Sequence, residues 1–317
     1  FFGKNTKSNY GIDIQYADYK SLRKKNKKAI PLHRYYAWQS TQSIYAQQSL
    51  EFDKYTKLGL GFRAQRNEIA IGDILNTNAP DYSGWQTEHE TFLDDEINYA
   101  LNLGFETKIN KNTLIYGRLG NGFRYPNIDD RIGGSGGTSL NLKTQKSNDL
   151  EIGSKFDSEN FFSNFSFFVI DSENELAYDT DAFENINVNS TRRFGFELKT
   201  TKQISKKLIW SNNYTFLKAK YTSENQGTYA TDFNKNDIPL VPENSLDSIL
   251  KFNLSDSTKL ISSIKYQDDM RMESDDENFQ DTKIPNYIIA NIDLKSKLDY
   301  FFFTISSLIS SNKSIFI

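Results

Sequence analysis

The chain has 317 residues, 37 % hydrophobic and 25 % charged, and its 38 Lys and Arg against 41 Asp and Glu leave a net charge of −3. So small a charge gives no electrostatic footprint for nucleic acid. A mean hydropathy of −0.63, with no apolar run near the ~18 residues of a membrane helix, excludes a helical membrane protein, and the absence of cysteine excludes a disulfide scaffold, a thiolate metal site and a cysteine nucleophile.

Along the chain, about thirteen short segments alternate polar and apolar residues, the period-two pattern of strands with one greasy and one polar face. The segments Leu58–Arg66, Tyr99–Ile109, Asn148–Phe156, Arg192–Thr201, Leu208–Phe216 and Tyr287–Lys297 each reach nine residues or more, and Tyr300–Ile309 follows as a late strand. Connections of two lengths alternate between them. Hairpin-sized clusters of Asn, Asp, Ser and Lys fall at Asp53–Thr56, Asn110–Asn112, Asp157–Asn160, Ser205–Lys207, Ser255–Thr258 and Leu298–Asp299. Long connections cover Tyr19–Gln42, Asn67–Ile97, Gly122–Ser147, Asp171–Ser190, Thr222–Ser245 and Gln267–Asn286. Strict alternation puts every long loop on one rim.

Loops beyond about 12–15 residues are uncommon in compact soluble domains, so six of them argue against a sandwich or propeller. Strand length points the same way. About 10 residues tilted near 45° span roughly 23 Å, close to the ~25 Å apolar band of a membrane barrel, whereas soluble strands usually stop at about 5–6. The apolar faces, such as Tyr99, Leu101, Leu103 and Phe105, or Ile288, Ala290, Ile292 and Leu294, would together expose more than a soluble monomer tolerates. The 18 Tyr and 24 Phe suit the aromatic girdles at the two lipid boundaries. The expected fold class is therefore all-β: an antiparallel, up-and-down transmembrane β-barrel with short periplasmic turns and long extracellular loops. Arg63, Gln65, Glu106, Glu151, Arg193, Glu197, Lys199, Asn213, Lys251, Asn291 and Asp293 are expected to line its interior, although pattern alone would also allow the solvated face of an ordinary sheet.

One stretch is more specific. Gly120-Asn121-Gly122-Phe123-Arg124-Tyr125-Pro126-Asn127-Ile128-Asp129-Asp130-Arg131 is followed by Asn141-Leu142-Lys143-Thr144-Gln145 and then by Asp149-Leu150-Glu151-Ile152-Gly153. This series resembles the barrel signature of TonB-dependent outer-membrane receptors. In that family a strand ends in an aromatic-Arg-x-Pro step, and a Leu-Lys-Pro-Glu/Gln turn leads into a strand with Glu-x-Gly. The motif residues are Phe123, Arg124, Pro126, Leu142, Lys143, Gln145, Glu151 and Gly153. Pro126 makes physical sense because proline cannot donate to a ladder and ends pairing. Asn187–Glu197 and Ile238–Pro242 resemble later family segments in the family's order. Thr144 stands where the family usually has Pro.

The resemblance implies a barrel of about 22 strands around an N-terminal plug, of which this chain would supply part, about strands nine to twenty-one. The plug, the first strands and the closing strand are expected to be absent from residues 1–317. It also implies energy-coupled uptake of a scarce nutrient, most plausibly an iron–siderophore complex or cobalamin, with outer-membrane lipid around the wall and an inner-membrane TonB complex engaging the plug. Aromatics on the long loops, Tyr82, Trp85, Tyr178, Phe183, Tyr229 and Phe233, are the candidate ligand contacts, each also explicable as loop packing. Asp268, Asp269, Glu273, Asp275, Asp276 and Glu277 could offer carboxylate oxygens to Ca²⁺, although a loop charge run is usually only solvated. No cofactor is expected. Tyr125–Leu142 carries no His, which argues against haem. Only His33 and His89 exist, no nucleophile triad can be placed, and the Gly133–Gly137 run does not sit between a strand and a helix as a phosphate cradle would. A passive porin and a soluble carbohydrate-binding β protein remain the alternatives.

Overall fold

The computed structural model describes residues 6–79, 91–132, 139–179, 184–188, 190–222, 234–298 and 301–311. Thirteen strands form one antiparallel sheet in simple sequence order. They are β1 (Thr6–Arg23), β2 (His33–Glu51), β3 (Thr56–Leu75), β4 (Phe92–Lys108), β5 (Thr113–Arg124), β6 (Gln145–Ser158), β7 (Phe161–Glu173), β10 (Thr191–Ser205), β11 (Leu208–Tyr221), β12 (Asn244–Asn253), β13 (Thr258–Gln267), β16 (Tyr287–Leu298) and β17 (Phe301–Ser311). A five-residue helix, α1 (Ile128–Ile132), lies between β5 and β6, the hairpin β8 (Glu175–Asp179) with β9 (Glu184–Val188) between β7 and β10, and a two-residue ladder, β14 (Met270–Arg271) with β15 (Lys283–Ile284), between β13 and β16. Among the described residues the sheet is not closed: β1 and β17 each pair on one side alone.

Register assigns every strand's faces. Tyr99, Leu101, Leu103 and Phe105 of β4 lie opposite Ala64, Phe62, Leu60 and Leu58 of β3, and Leu150 and Ile152 of β6 lie opposite Leu119 and Gly117 of β5. Phe196 is flanked by Phe167 and Phe216, and Leu294 by Leu260 and Ile305. Much of this face is exposed, with Tyr10, Ile12 and Ile14 each above 70 % accessible. The opposite face pairs Arg63 with Ala100, Gln65 with Asn98, Glu106 with Tyr116, Glu151 with Arg118 and Phe168, Glu197 with Ser166 and Thr215, and Lys199 with Asn164 and Asn213. All eleven side chains expected inside, from Arg63 to Asp293, fall on that one face.

The strands overrun the expected bounds at the long-loop rim. β1 continues to Arg23 and β2 begins at His33, so Tyr19–Gln42 is mostly ladder; β3 runs to Leu75 and β4 starts at Phe92, well inside Asn67–Ile97. The expected pattern fails there because it inverts while the backbone keeps pairing: the outward face gains charges, and the inward face carries the buried apolar Tyr35, Ala37, Ile69 and Ile71. Arg66, on the apolar side of β3, is bidentate to Asp95 at 2.9 and 2.7 Å and meets Glu68 at 2.9 Å, and Arg192 binds Asp171 at 2.6 and 2.9 Å. Such charges end the lipid-facing band.

Candidate functional site

The connection from β5 to β6 folds back over the polar face. Pro126, fully buried, has no N–H to give a ladder and releases the chain from the wall. Asn127 and Asp130 then exchange hydrogen bonds, Asp130 N–H to Asn127 Oδ1 at 2.8 Å and Asn127 N–H to Asp130 Oδ2 at 2.9 Å, a reciprocal cap for α1. Arg124 holds the same carboxylate at 3.1 Å. Ile128 and Ile132 bury against Tyr35, Ala37, Ile69 and Ile71 of β2 and β3, each worth roughly 1.5–3 kcal/mol.

Arg131 is the buried pin. Its guanidinium lies 4.7 Å over the Phe92 ring, meets Asp94 at 3.3 Å and donates to the Leu140 carbonyl. Burial pulls its pKa below the usual guanidinium range, against the pull of Asp94, Glu96 and Asp130. Thr144 donates its hydroxyl to Glu96, so the residue standing in for the family's Pro ties the returning arm to β4.

Two distant motif stretches clasp each other. Lys143 N–H donates to Asn187 Oδ1 at 2.7 Å, while Asn187 Nδ2 donates to the carbonyls of Lys143 at 3.0 Å and Asn174 at 2.8 Å. Asn185 Nδ2 donates to the Asp130 carbonyl at 2.8 Å, and Gln145 accepts from Leu176 N–H at 3.4 Å. The hairpin is clipped to the wall by Glu175, bound to both terminal nitrogens of Arg193 at 2.9 and 2.7 Å and to Thr191 Oγ1 at 2.7 Å. Burial raises the Glu175 pKa, but these bonds outweigh it and hold the carboxyl below its usual range. Farther down, the Tyr116 ring lies across Gly153, and its hydroxyl donates to Glu151 at 3.2 Å and Asn164 at 3.3 Å. A Cβ at Gly153 would stand 2.4 Å from that ring, which explains Glu-x-Gly.

Between the folded-back arm and β1 to β5 lies a groove of about 770 Å³, lined by Gln15, Gln39, Thr41, Arg63, Gln65 and Tyr125 among others. Arg63 is neutralised by Asp13 at 3.0 Å, and Tyr125 donates to the Gln65 carbonyl at 2.7 Å. The lining is amide, hydroxyl and aromatic, with its guanidinium groups already paired.

A second cluster joins the later loops. Asn278 Nδ2 donates to the carbonyls of Asp237, Asp275 and Asp276 at 2.9, 2.9 and 3.4 Å. Tyr221 donates to Asp276 at 2.5 Å. Burial raises the Asp276 pKa, and Asp179 and Asp275 add to it while the Tyr221 bond opposes it. The carboxylates considered for Ca²⁺ have other partners: Asp268 accepts from Tyr266 and Asn244, Asp269 from Lys283, Asp275 from Arg271 and Asp276 from Tyr221. Among the described residues no three His, Cys, Asp or Glu side chains converge to hold a metal. Of the ligand candidates, Tyr178 lies exposed on β8, and Tyr82, Trp85, Phe183, Tyr229 and Phe233 lie outside the described residues. Arg131, Glu175, Asn187 and Tyr221 carry the loop architecture without having been singled out as site residues; the Asn-x-Asn of Asn185 and Asn187, suited to bonding backbone groups, was the one available signal.

A tall antiparallel wall, apolar outside and polar inside, with loops folded inward at one rim, defines an outer-membrane β-barrel. Residues 1–306 match the family model "TonB dependent receptor-like, beta-barrel", and the chain belongs to that family, which places it in the Gram-negative outer membrane. Similar folds are seen in the ferric yersiniabactin uptake receptor FyuA from Yersinia pestis (TM-score 0.73, 12 % identity, covering 93 % of this chain and 44 % of that one). The ferric-catecholate import receptor Fiu from E. coli K12 (0.69, 15 %, 96 % and 48 %) and the copper transporter OprC (0.73, 12 %, 96 % and 48 %) share it too. The chain thus spans less than half the length of these receptors.

Proposed function

We propose that the chain builds part of the wall and extracellular rim of a receptor for energy-coupled uptake of a scarce nutrient, an iron–siderophore complex first and cobalamin second. The supporting observation is the groove on the polar face, lined by Gln15, Gln39, Thr41, Arg63 and Gln65 and bounded by the motif residues Phe123 and Arg124 together with Tyr125. Its neutral, amide-rich and aromatic lining suits a large polar ligand held by many weak contacts. FyuA and Fiu, which share the fold, are named for ferric-chelate uptake, which favours iron chelates. On this reading the rest of the receptor supplies further strands, since an unpaired edge in hydrocarbon costs several kcal/mol per backbone group, and a plug through which the TonB complex acts. The carboxylates Asp268, Asp269, Asp275 and Asp276 serve as loop ties, not as metal ligands, and Tyr178 is the candidate aromatic that lies among the described residues, where it is exposed.

Growth of a deletion strain on single iron chelates and on cobalamin tests the reading. Loss of growth on one ferric chelate, restored by the intact gene, is the expected result; unchanged growth on every chelate and on cobalamin would overturn it.

A further inference from the structure

The ladder between β4 and β5 stops early. It runs from Lys108 and Leu114 to Asn102 and Gly120, yet β4 continues to Phe92 and β5 to Arg124. Each keeps its other neighbour: β4 stays paired with β3 up to Phe92, and β5 with β6 up to Arg124. The wall therefore splits between two strands that are intact on their far sides.

At the fork sits Asn121. Its side-chain Oδ1 accepts from Leu101 N–H and its Nδ2 donates to the Tyr99 carbonyl, both at 2.8 Å. Those main-chain groups flank Ala100 and belong to two successive hydrogen-bonded pairs of a continued ladder, Leu101 with Asn121 and Tyr99 with Phe123. An amide side chain thus replaces the backbone of β5 at the point where pairing fails. Beyond it, Phe123, Arg124 and Tyr125 lean over the polar face, with Tyr125 reaching past β4 to the Gln65 carbonyl at 2.7 Å.

The same split makes the groove. Gly122, Phe123, Arg124 and Tyr125 form one side of it and Ala100 lies across from them. Continued in its present register, the ladder would pair Asn121 with Leu101, Gly122 with Ala100, Phe123 with Tyr99 and Arg124 with Asn98. Nothing in the residues forbids this, since none is Pro and none has a positive φ. In that arrangement the end of β5 would lie flat in the wall, and one side of the groove would be gone.

We infer that the end of β5 is a gate for the luminal groove: Asn121 holds the β4–β5 ladder unzipped, and zipping over residues 121–124 collapses the groove. The inference rests on the uptake reading only for the membrane setting. Zipping exchanges two side-chain bonds of Asn121 and the Tyr125 bond for main-chain pairs, so the two states are close in hydrogen-bond count. It also requires the arm bearing Arg131 and Thr144 to slacken its hold on Asp94 and Glu96, which ties the gate to the loops above it. The sequence signal is Gly-Asn-Gly at 120–122, two residues without side chains flanking one whose amide can imitate a peptide.

The test uses cysteine pairs in the full receptor in outer membranes. Ala100→Cys with Gly122→Cys would lie opposite each other in the zipped register, at a non-hydrogen-bonded position whose Cα spacing of about 4.5 Å suits a disulfide. Asn102→Cys with Gly120→Cys, already paired, reports that the wall is folded. The expected result is slow, partial cross-linking of 100 with 122, a severalfold faster yield when Asn121→Val removes the amide, and loss of maleimide labelling at Thr41→Cys in the locked receptor. Efficient cross-linking at 102 and 120 with none at 100 and 122, even with Asn121→Val, would overturn the gate. So would a 100–122 disulfide that leaves Thr41→Cys labelling unchanged. Because disulfide yield and labelling read wall geometry directly, failure of uptake on every nutrient would leave this result standing by itself.

Discussion

Lys143 and Asn187 lie 44 positions apart and exchange two hydrogen bonds, the Lys143 amide giving 2.7 Å to the Asn187 carbonyl oxygen and the Asn187 amide returning 3.0 Å to the Lys143 carbonyl. The side chain acts as a strand of one residue. It joins the arm after α1 to the β8–β9 hairpin.

Asn187→Ala should release that joint. Three bonds go, two exposed ones to Lys143 and a part-buried one to Asn174, and a typical hydrogen bond contributes a net of about 0.5–1.5 kcal/mol. The expected outcome is faster hydrogen exchange at the Lys143 amide and across β8, with the β6–β7 ladder unchanged. Equal protection in variant and parent would contradict the clasp.

Gly153→Ala should destabilise the wall itself. The new methyl meets Tyr116 at 2.4 Å and the Phe165 carbonyl oxygen at 2.6 Å, and overpacking of this kind costs about 1–3 kcal/mol. Adding Tyr116→Ala relieves the ring contact and leaves the backbone one, so the double variant should recover only part of the loss. The temperature at which the barrel loses its heat-modifiable gel mobility measures both.

Two loop carboxyls should respond to pH in opposite directions. Burial leads the rise of the Asp276 pKa, so its protonated form is the one favoured by the fold. That stabilisation is complete below the ordinary aspartate value and is lost as pH climbs through the raised one. Burial also raises Glu175, but the Arg193 and Thr191 bonds outweigh it and depress its pKa; its contribution is present above the ordinary glutamate value and lost as pH falls through the depressed one. Hydrogen exchange across acidic to neutral pH should show the loops around Asn278 loosening on the alkaline side and the β8–β9 hairpin on the acid side. Asp276→Asn should abolish the first trend and leave the second.

Thr144→Val keeps the shape and deletes the hydroxyl that serves Glu96. The expected loss is about 1–3 kcal/mol of local stability, the price of one unpartnered acceptor, seen as protease sensitivity near residues 139–144 with the rest of the wall intact. Thr144→Pro, the residue common in the family, should loosen the arm in the same way, since proline brings no donor to Glu96.

Residue alternation alone assigned the faces of the wall. Phe196 and Leu198 point to lipid and Glu197 and Lys199 point inward because a strand turns over at each step, and a one-residue error would have inverted every side chain. The hairpin turns were equally legible, since Asp53 and Asn110 supply side-chain oxygens to the amides that follow them. The upper ends of β1 to β4 were not legible, because beyond the lipid the outward face gains charges while Tyr35, Ala37, Ile69 and Ile71 put an apolar patch on the inward one, so the pattern inverts while pairing continues. The motif residues were visible as a pattern, but not what they do for one another.

By itself, then, the order of residues determined which side of each wall strand is greasy, that the wall has about thirteen strands and where its short turns fall, since all three follow from local geometry and hydropathy. Only the tertiary structure decided that Lys143 would meet Asn187, that Arg131 would sink between Phe92 and Asp94, and that the wall would part at Asn121. Those contacts depend on which loops fold inward together, a matter of long-range packing that no window along the chain contains.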